Sequence, residues 1–79
     1  MDYLYVINYI DNMLYSLTVD DKAEIFKLIE NQFQKLENLK INGDKNALKL
    51  AIYRTIYKRS GIVGFVNFWQ KYKQKNILR

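Results

Sequence analysis

Few side chains in this sequence can do covalent or acid–base chemistry. There is no histidine and no cysteine, which removes the commonest general base and metal ligand together with all thiol chemistry. The absence of cysteine also fits a reducing compartment. A nucleophile needs an adjacent base and a third group to orient that base. The serines at 16 and 60 fall at expected helix ends, with no imidazole to activate either. Carboxylates gather once, at Asp20, Asp21 and Glu24. Acids at the start of a helix are accounted for by capping and by the positive end of the helix dipole, ahead of a role as acid–base pair or divalent-metal site. The sequence therefore reads as non-enzymatic, with no catalytic, cofactor-binding or metal-ligating residue, and the chemistry that remains is binding.

Charge layout points to where binding would occur. All eight acids lie within residues 1–44, where against four lysines they leave a net −4, and residues 45–79 carry nine Lys or Arg and no acid, a net +9. A basic half of this kind suits an anionic partner, unless it is spent on neutralising the acidic half of the same chain. Aromatic and cationic residues interleave most closely in "LKLAIYRTIYKR", residues 48–59. There Leu50, Tyr53 and Tyr57 share one helical side, bordered by Lys49, Arg54 and Lys58. Aromatic anchors rimmed by cations are the composition of interface hot spots and also suit a lipid headgroup zone. These six are the candidate partner-binding residues, with Lys71, Lys73 and Lys75 adding charge. The competing reading is that a helix packed between two neighbours buries both of its apolar sides.

The elements that must position these residues are helical. Proline is absent and glycine occurs only at 43, 61 and 64, so few breakers interrupt a chain rich in Leu, Ile, Lys, Glu and Gln. In the first segment Tyr3, Val6, Ile7, Ile10, Met13, Leu14 and Leu17 recur at steps of three and four, an arc of roughly 120° at about 100° per residue. Thr18 and Asp21 have the spacing of a capping box, Asp20 is a second cap candidate, and Ile25, Phe26, Leu28, Ile29, Phe33, Leu36 and Leu39 form the next stripe. "INGD" at 41–44 supplies a left-handed glycine and a new cap. The third segment has two apolar sides: Leu48, Ala51, Ile52, Thr55 and Ile56 on one, Leu50, Tyr53 and Tyr57 on the other. Ser60 and Gly61 end it, and Ile62, Phe65, Val66, Trp69 and Tyr72, widened by Phe68, make the last core face opposite Asn67, Gln70, Lys71 and Gln74. The expected fold is all-α, a single domain over 1–79 built as a small antiparallel four-helix bundle with helices at about 2–17, 20–40, 45–58 and 62–74, and a frayed tail from 75 to 79.

Two other partner classes follow from the same pattern. The third segment, the turn "KRSG" and the fourth segment have the order of a helix-turn-helix, but a recognition helix needs a polar outward face near its start, and "GIVGFVNFW" offers only Asn67 and Gln70 there. Stacking of single strands on Tyr53, Tyr57 or Phe68 is the other nucleic-acid mode. A homodimer through the second stripe of the third segment is the structural alternative. A membrane span is excluded, because Gly61 to Trp69 is nine residues, well short of about 20. No secretory signal is read at the N-terminus, since Asp2 stands in place of a basic region and Asp11 interrupts the apolar segment. The expected location is cytoplasmic, with a membrane-peripheral variant.

Residues 23–57, "AEIFKLIENQFQKLENLKINGDKNALKLAIYRTIY", resemble the central helix pair of class II bacteriocin immunity proteins. The likeness lies in an apolar helix ending near "KLE", a short polar loop, and a helix of the form "xxLxxAIxxxIY". The chain is shorter than most members and lacks the longer C-terminal tail that many carry. The resemblance implies a small cytosolic helical bundle without catalytic residues, acting inside the producer membrane to block the pore its bacteriocin forms with a sugar-transporter receptor. It also implies that the C-terminal half sets specificity. No individual site residue is carried over from it.

Overall fold

The computed structural model describes residues 2–18 and 20–77, with side chains up to Tyr72. Helices account for its regular structure: α1 (Tyr3–Tyr15), α2 (Lys22–Gln34) and α3 (Lys45–Ile77). The four-helix bundle expected from the sequence is thereby corrected to three helices, because the segments 45–58 and 62–74 belong to one element. That element is not straight. Gly61, at φ 74° and ψ −176°, is non-helical in its middle, a backbone region that essentially only glycine occupies. A straight helix of 33 residues would run about 50 Å, whereas the longest dimension of the molecule is 38 Å. Gly61 thus divides α3 into a first limb, 45–60, and a second limb, 62–77, folded toward each other over α1.

Local sequence accounts for the helix ends. Asp2 caps α1 by accepting from the Tyr5 backbone N–H at 3.2 Å. Thr18 and Asp21 do pair, with the Thr18 hydroxyl donating to Asp21 Oδ2 at 3.0 Å and accepting from the Asp21 N–H at 3.4 Å. Asp21, not Asp20, is the N-cap of α2, and its carboxylate is turned to Thr18 rather than to the helix. Asp44 Oδ1 accepts from the Asn46 N–H at 2.8 Å and so starts α3. Gly43 is left-handed at φ 77°, as the sequence suggests, but it serves the entry to α3 and not the end of α2.

The helix expected over 20–40 stops at Gln34. Its last turn tightens, with Lys35 N–H bonded to Gln32 O and Leu36 N–H to Phe33 O, the three-residue spacing that closes a helix terminus. Leu36 and Leu39 lie beyond it, yet Leu36 is buried and Leu39 packs on the core. The apolar spacing 33–36–39 therefore marks burial correctly while the backbone has already left the helix. The Lys40 N–H donates to the Tyr3 hydroxyl at 3.2 Å, tying this loop to the start of α1.

The core follows the apolar faces of α1, α2 and the second limb. Val6, Ile7, Ile10 and Leu14 of α1 meet Ile25, Ile29 and Phe33 of α2, and Phe65, Val66 and Trp69 close over them. Phe33 is an aromatic hub, edge-on to Phe65 at 5.0 Å and stacked on Tyr57 at 4.7 Å. One expected core member departs: Tyr72 is exposed, with its ring against Phe68. Gly64 has a packing role, because a Cβ there would overlap the Ser60 side chain. The Ser60 hydroxyl is itself bonded back to Ile56 O at 2.7 Å, so the break at Gly61 seats residue 64 directly against residue 60.

Candidate partner-binding surface

Orientation of the first limb decides which residues can meet a partner. Its two apolar sides have opposite fates, and they are the reverse of the sequence expectation. Leu50 is 0% exposed and Tyr53 5%, both in the core, and Tyr57 is half-buried against Phe33. Leu48 is 52% exposed and Ile52 46%. Leu50 and Tyr53 therefore cannot serve as surface anchors in this fold.

A buried carboxyl group explains the choice. Asp11, on the apolar face of α1, is nearly inaccessible, and its Oδ1 accepts from both the Tyr53 hydroxyl and the Trp69 indole N–H, each at 2.9 Å. Because both donors reach one atom, they lie no more than about 6 Å apart. Sixteen residues of straight helix would separate their backbones by about 24 Å. The Asp11 oxygen thus holds the two limbs of α3 together, and the bend at Gly61 makes that possible. Burying a polar group is tolerated only with such partners, so Tyr53 must point inward, and Leu50 and Tyr57 follow it on the same side of the helix. Burial pushes the Tyr53 phenol well above its ordinary value, and the Asp11 carboxyl adds to the shift. Tyr57 is raised as well, by burial first and then by the negative charge of the Glu30 carboxylate.

Sequence reasoning missed Asp11, although it leaves a signal. An acid four residues after Ile7 and three before Leu14 falls at the edge of the buried stripe, and such a group demands donors. The single tryptophan and a tyrosine on an apolar face are the residue types that can supply them.

The remaining predicted residues scatter. Lys49 is half-buried with its ammonium 5.9 Å from the Tyr53 ring, a cation–π contact. Arg54, Tyr57 and Lys58 line a cleft with Phe33, Gln34 and Glu37, and the buried Arg54 Nε has no hydrogen-bond partner among the described residues. Lys71 is exposed, 5.5 Å from the Tyr72 ring on the second limb. The Lys73 and Lys75 side chains lie outside the described residues. The structure does not gather the seven described residues of this set into one face.

What it does present is the other side of the first limb. Leu48, Ala51, Ile52, Thr55 and Ile56 line a shallow open groove. Ile56 is partly buried against the core and anchors one end of it. The Thr55 hydroxyl donates to Ala51 O at 2.7 Å, so its proton is already used within the helix. Lys45, Lys58 and Arg59 are exposed around it. The strip is thus aliphatic apart from Thr55, with exposed cations standing near it. Among the described residues no three carboxylates converge in a metal-holding group, and no helix is long and apolar enough to cross a membrane.

In comparisons with known proteins, no family model, no curated protein and no solved structure matches this chain. The fold and surface define it as a small three-helix chain, bent at Gly61, with an acidic N-terminal half and a basic half that carries an open aliphatic groove.

Proposed function

We infer that this is a non-enzymatic binding protein whose basic half engages a protein partner. The observation that carries the reading is the open groove around Ile52, a solvent-facing aliphatic strip on a helix otherwise bordered by cations. An apolar center inside a charged rim is how protein–protein contacts are built. The resemblance of residues 23–57 to immunity proteins makes the role concrete: a cytosolic protein acting at the inner membrane face against a bacteriocin-occupied receptor. The charge asymmetry supports that setting, since a +9 half is attracted to an anionic bilayer as well as to an acidic protein.

The test is expression of the full chain in sensitive bacteria challenged with a panel of pore-forming class II bacteriocins. Protection against one of them supports the immunity role. No protection against any, together with binding to duplex or single-stranded nucleic acid that falls steeply with salt, would replace it with nucleic-acid recognition.

A further inference from the structure

We propose that the outer face of the first limb of α3 is a helix-docking site whose occupant is an acidic amphipathic α-helix of a protein partner. The inference rests on the binding reading above and specifies its surface and ligand.

Geometry comes first. Leu48, Ile52 and Ile56 are spaced four residues apart and form one ridge along the limb, and Ala51 and Thr55, also four apart, form a row of small side chains beside it. A ridge next to a groove in the four-residue direction is the arrangement that accepts the corresponding ridge of a second helix. None of the three helices of this chain fills it: Leu48 and Ile52 are half-exposed, whereas Leu50 and Ala47 on the inner side are fully buried. Arg59 continues the Ala51–Thr55 row at its C-terminal end, Lys45 stands one turn before Leu48, and Lys58 flanks the groove. All three are exposed.

Charge then selects the occupant. No acid occurs among residues 45–79, so along this limb only the capping residue Asp44 opposes Lys45 and Arg59, while Lys58 also shares a cleft with Glu37. A second copy packed antiparallel about Ile52 would set Lys45 of each chain near Arg59 of the other, a like-charge contact at both ends. Nucleic acid finds no hydrogen-bonding group on the aliphatic ridge. For lipid insertion the ridge is short, about 12 Å from Leu48 to Ile56, and has no aromatic residue. A helix with a Leu or Ile ridge and acidic flanks satisfies both the groove and the rim, in the helix-in-groove mode.

The experiment titrates the full chain into a fluorescein-labelled, end-capped amphipathic peptide with leucines at three- and four-residue spacing and glutamates elsewhere, reading anisotropy up to about 100 μM protein. A matched peptide carries lysines in place of the glutamates. Saturable binding of the glutamate peptide is expected, with the lysine peptide at least roughly tenfold weaker. Ile52→Asn and Arg59→Glu are each expected to weaken binding by roughly tenfold, while Leu4→Asn, at an exposed apolar position on α1, leaves it unchanged. Circular dichroism checks that each variant is folded. The proposal is overturned by no binding of the glutamate peptide, by equal binding of both peptides, or by retention in Ile52→Asn and Arg59→Glu. It is also overturned if Ile52→Asn abolishes binding to phosphatidylglycerol vesicles, or dissolves a dimer seen by light scattering, with no effect on peptide binding. The two readings fail separately: protection that persists in Ile52→Asn removes this surface and keeps the binding role, whereas absence of protection in the unmodified chain removes the immunity role and leaves the peptide result standing.

Discussion

Removing the Asp11 carboxyl group should destabilize the molecule more than its single position suggests. Asp11→Ala deletes one oxygen that two donors share, the Tyr53 hydroxyl and the Trp69 indole N–H, each at 2.9 Å. Both side chains are at most 5% exposed, so neither donor recovers full hydration. An unsatisfied buried donor costs about 1–3 kcal/mol, giving roughly 2–6 kcal/mol for the pair. A 79-residue domain has about 4–12 kcal/mol in total, so the variant is expected near its unfolding threshold. Asp11→Asn keeps an oxygen able to accept both bonds and should lose less than Asp11→Ala. Tyr53→Phe removes one bond and leaves the other, a loss of about 0.5–1.5 kcal/mol. The assay is urea unfolding followed by circular dichroism, with Trp69, the only tryptophan, as a second probe. In the Asp11→Ala/Tyr53→Phe double-mutant cycle the coupling should exceed about 0.5 kcal/mol. Stability of Asp11→Ala within about 0.5 kcal/mol of the parent, or additive effects in the cycle, would refute the idea that this oxygen ties the limbs of α3 together.

Other outcomes follow from the same geometry. Leu50→Ala, at a fully buried position, should cost about 2–5 kcal/mol, while Leu48→Ala should stay within about 0.5 kcal/mol; chemical denaturation of the two shows which stripe is core. Gly61→Ala should cost about 1–3 kcal/mol through backbone strain alone, since nothing lies near the added methyl. Gly64→Ala should destabilize by collision with Ser60, and Ser60→Gly in the same chain should recover part of the loss in thermal melts. Stability should also fall at alkaline pH. The native state keeps the Tyr53 phenol protonated above its ordinary value, while the unfolded chain releases that proton near pH 10. The Tyr53 contribution is therefore complete below about pH 10 and is lost above it by up to about 1.4 kcal/mol per pH unit. Urea midpoints measured from pH 8 to 11 should show a shallower decline in Tyr53→Phe.

Helical class, the inward faces of α1 and α2, the cap at Asp44, and the glycine breaks were legible in the sequence, because each depends on spacing along one helix or on the chemistry of one turn. The solvent-facing side of the first limb was not. Both sides of the first limb carry three large apolar residues, Leu48, Ile52 and Ile56 against Leu50, Tyr53 and Tyr57, and periodicity weighs them equally. The aromatic side reads as the hot spot by composition, yet it is the side the core takes. Helix ends were blurred for a related reason: Leu36 and Leu39 keep a helical spacing after the backbone has turned, and burial does not reveal which backbone delivers it.

Those ambiguities were resolved by contacts between residues far apart in sequence. Asp11 is 42 residues from Tyr53 and 58 from Trp69, and no local pattern links them. Once a carboxyl group is buried, its hydrogen bonds must be satisfied, and satisfying both from one oxygen requires α3 to fold back at Gly61. The sequence alone determined that this chain is helical, polarized in charge and poor in reactive groups. Only the tertiary structure decided that Tyr53 turns inward to Asp11, and in doing so it left Leu48 and Ile52 facing solvent.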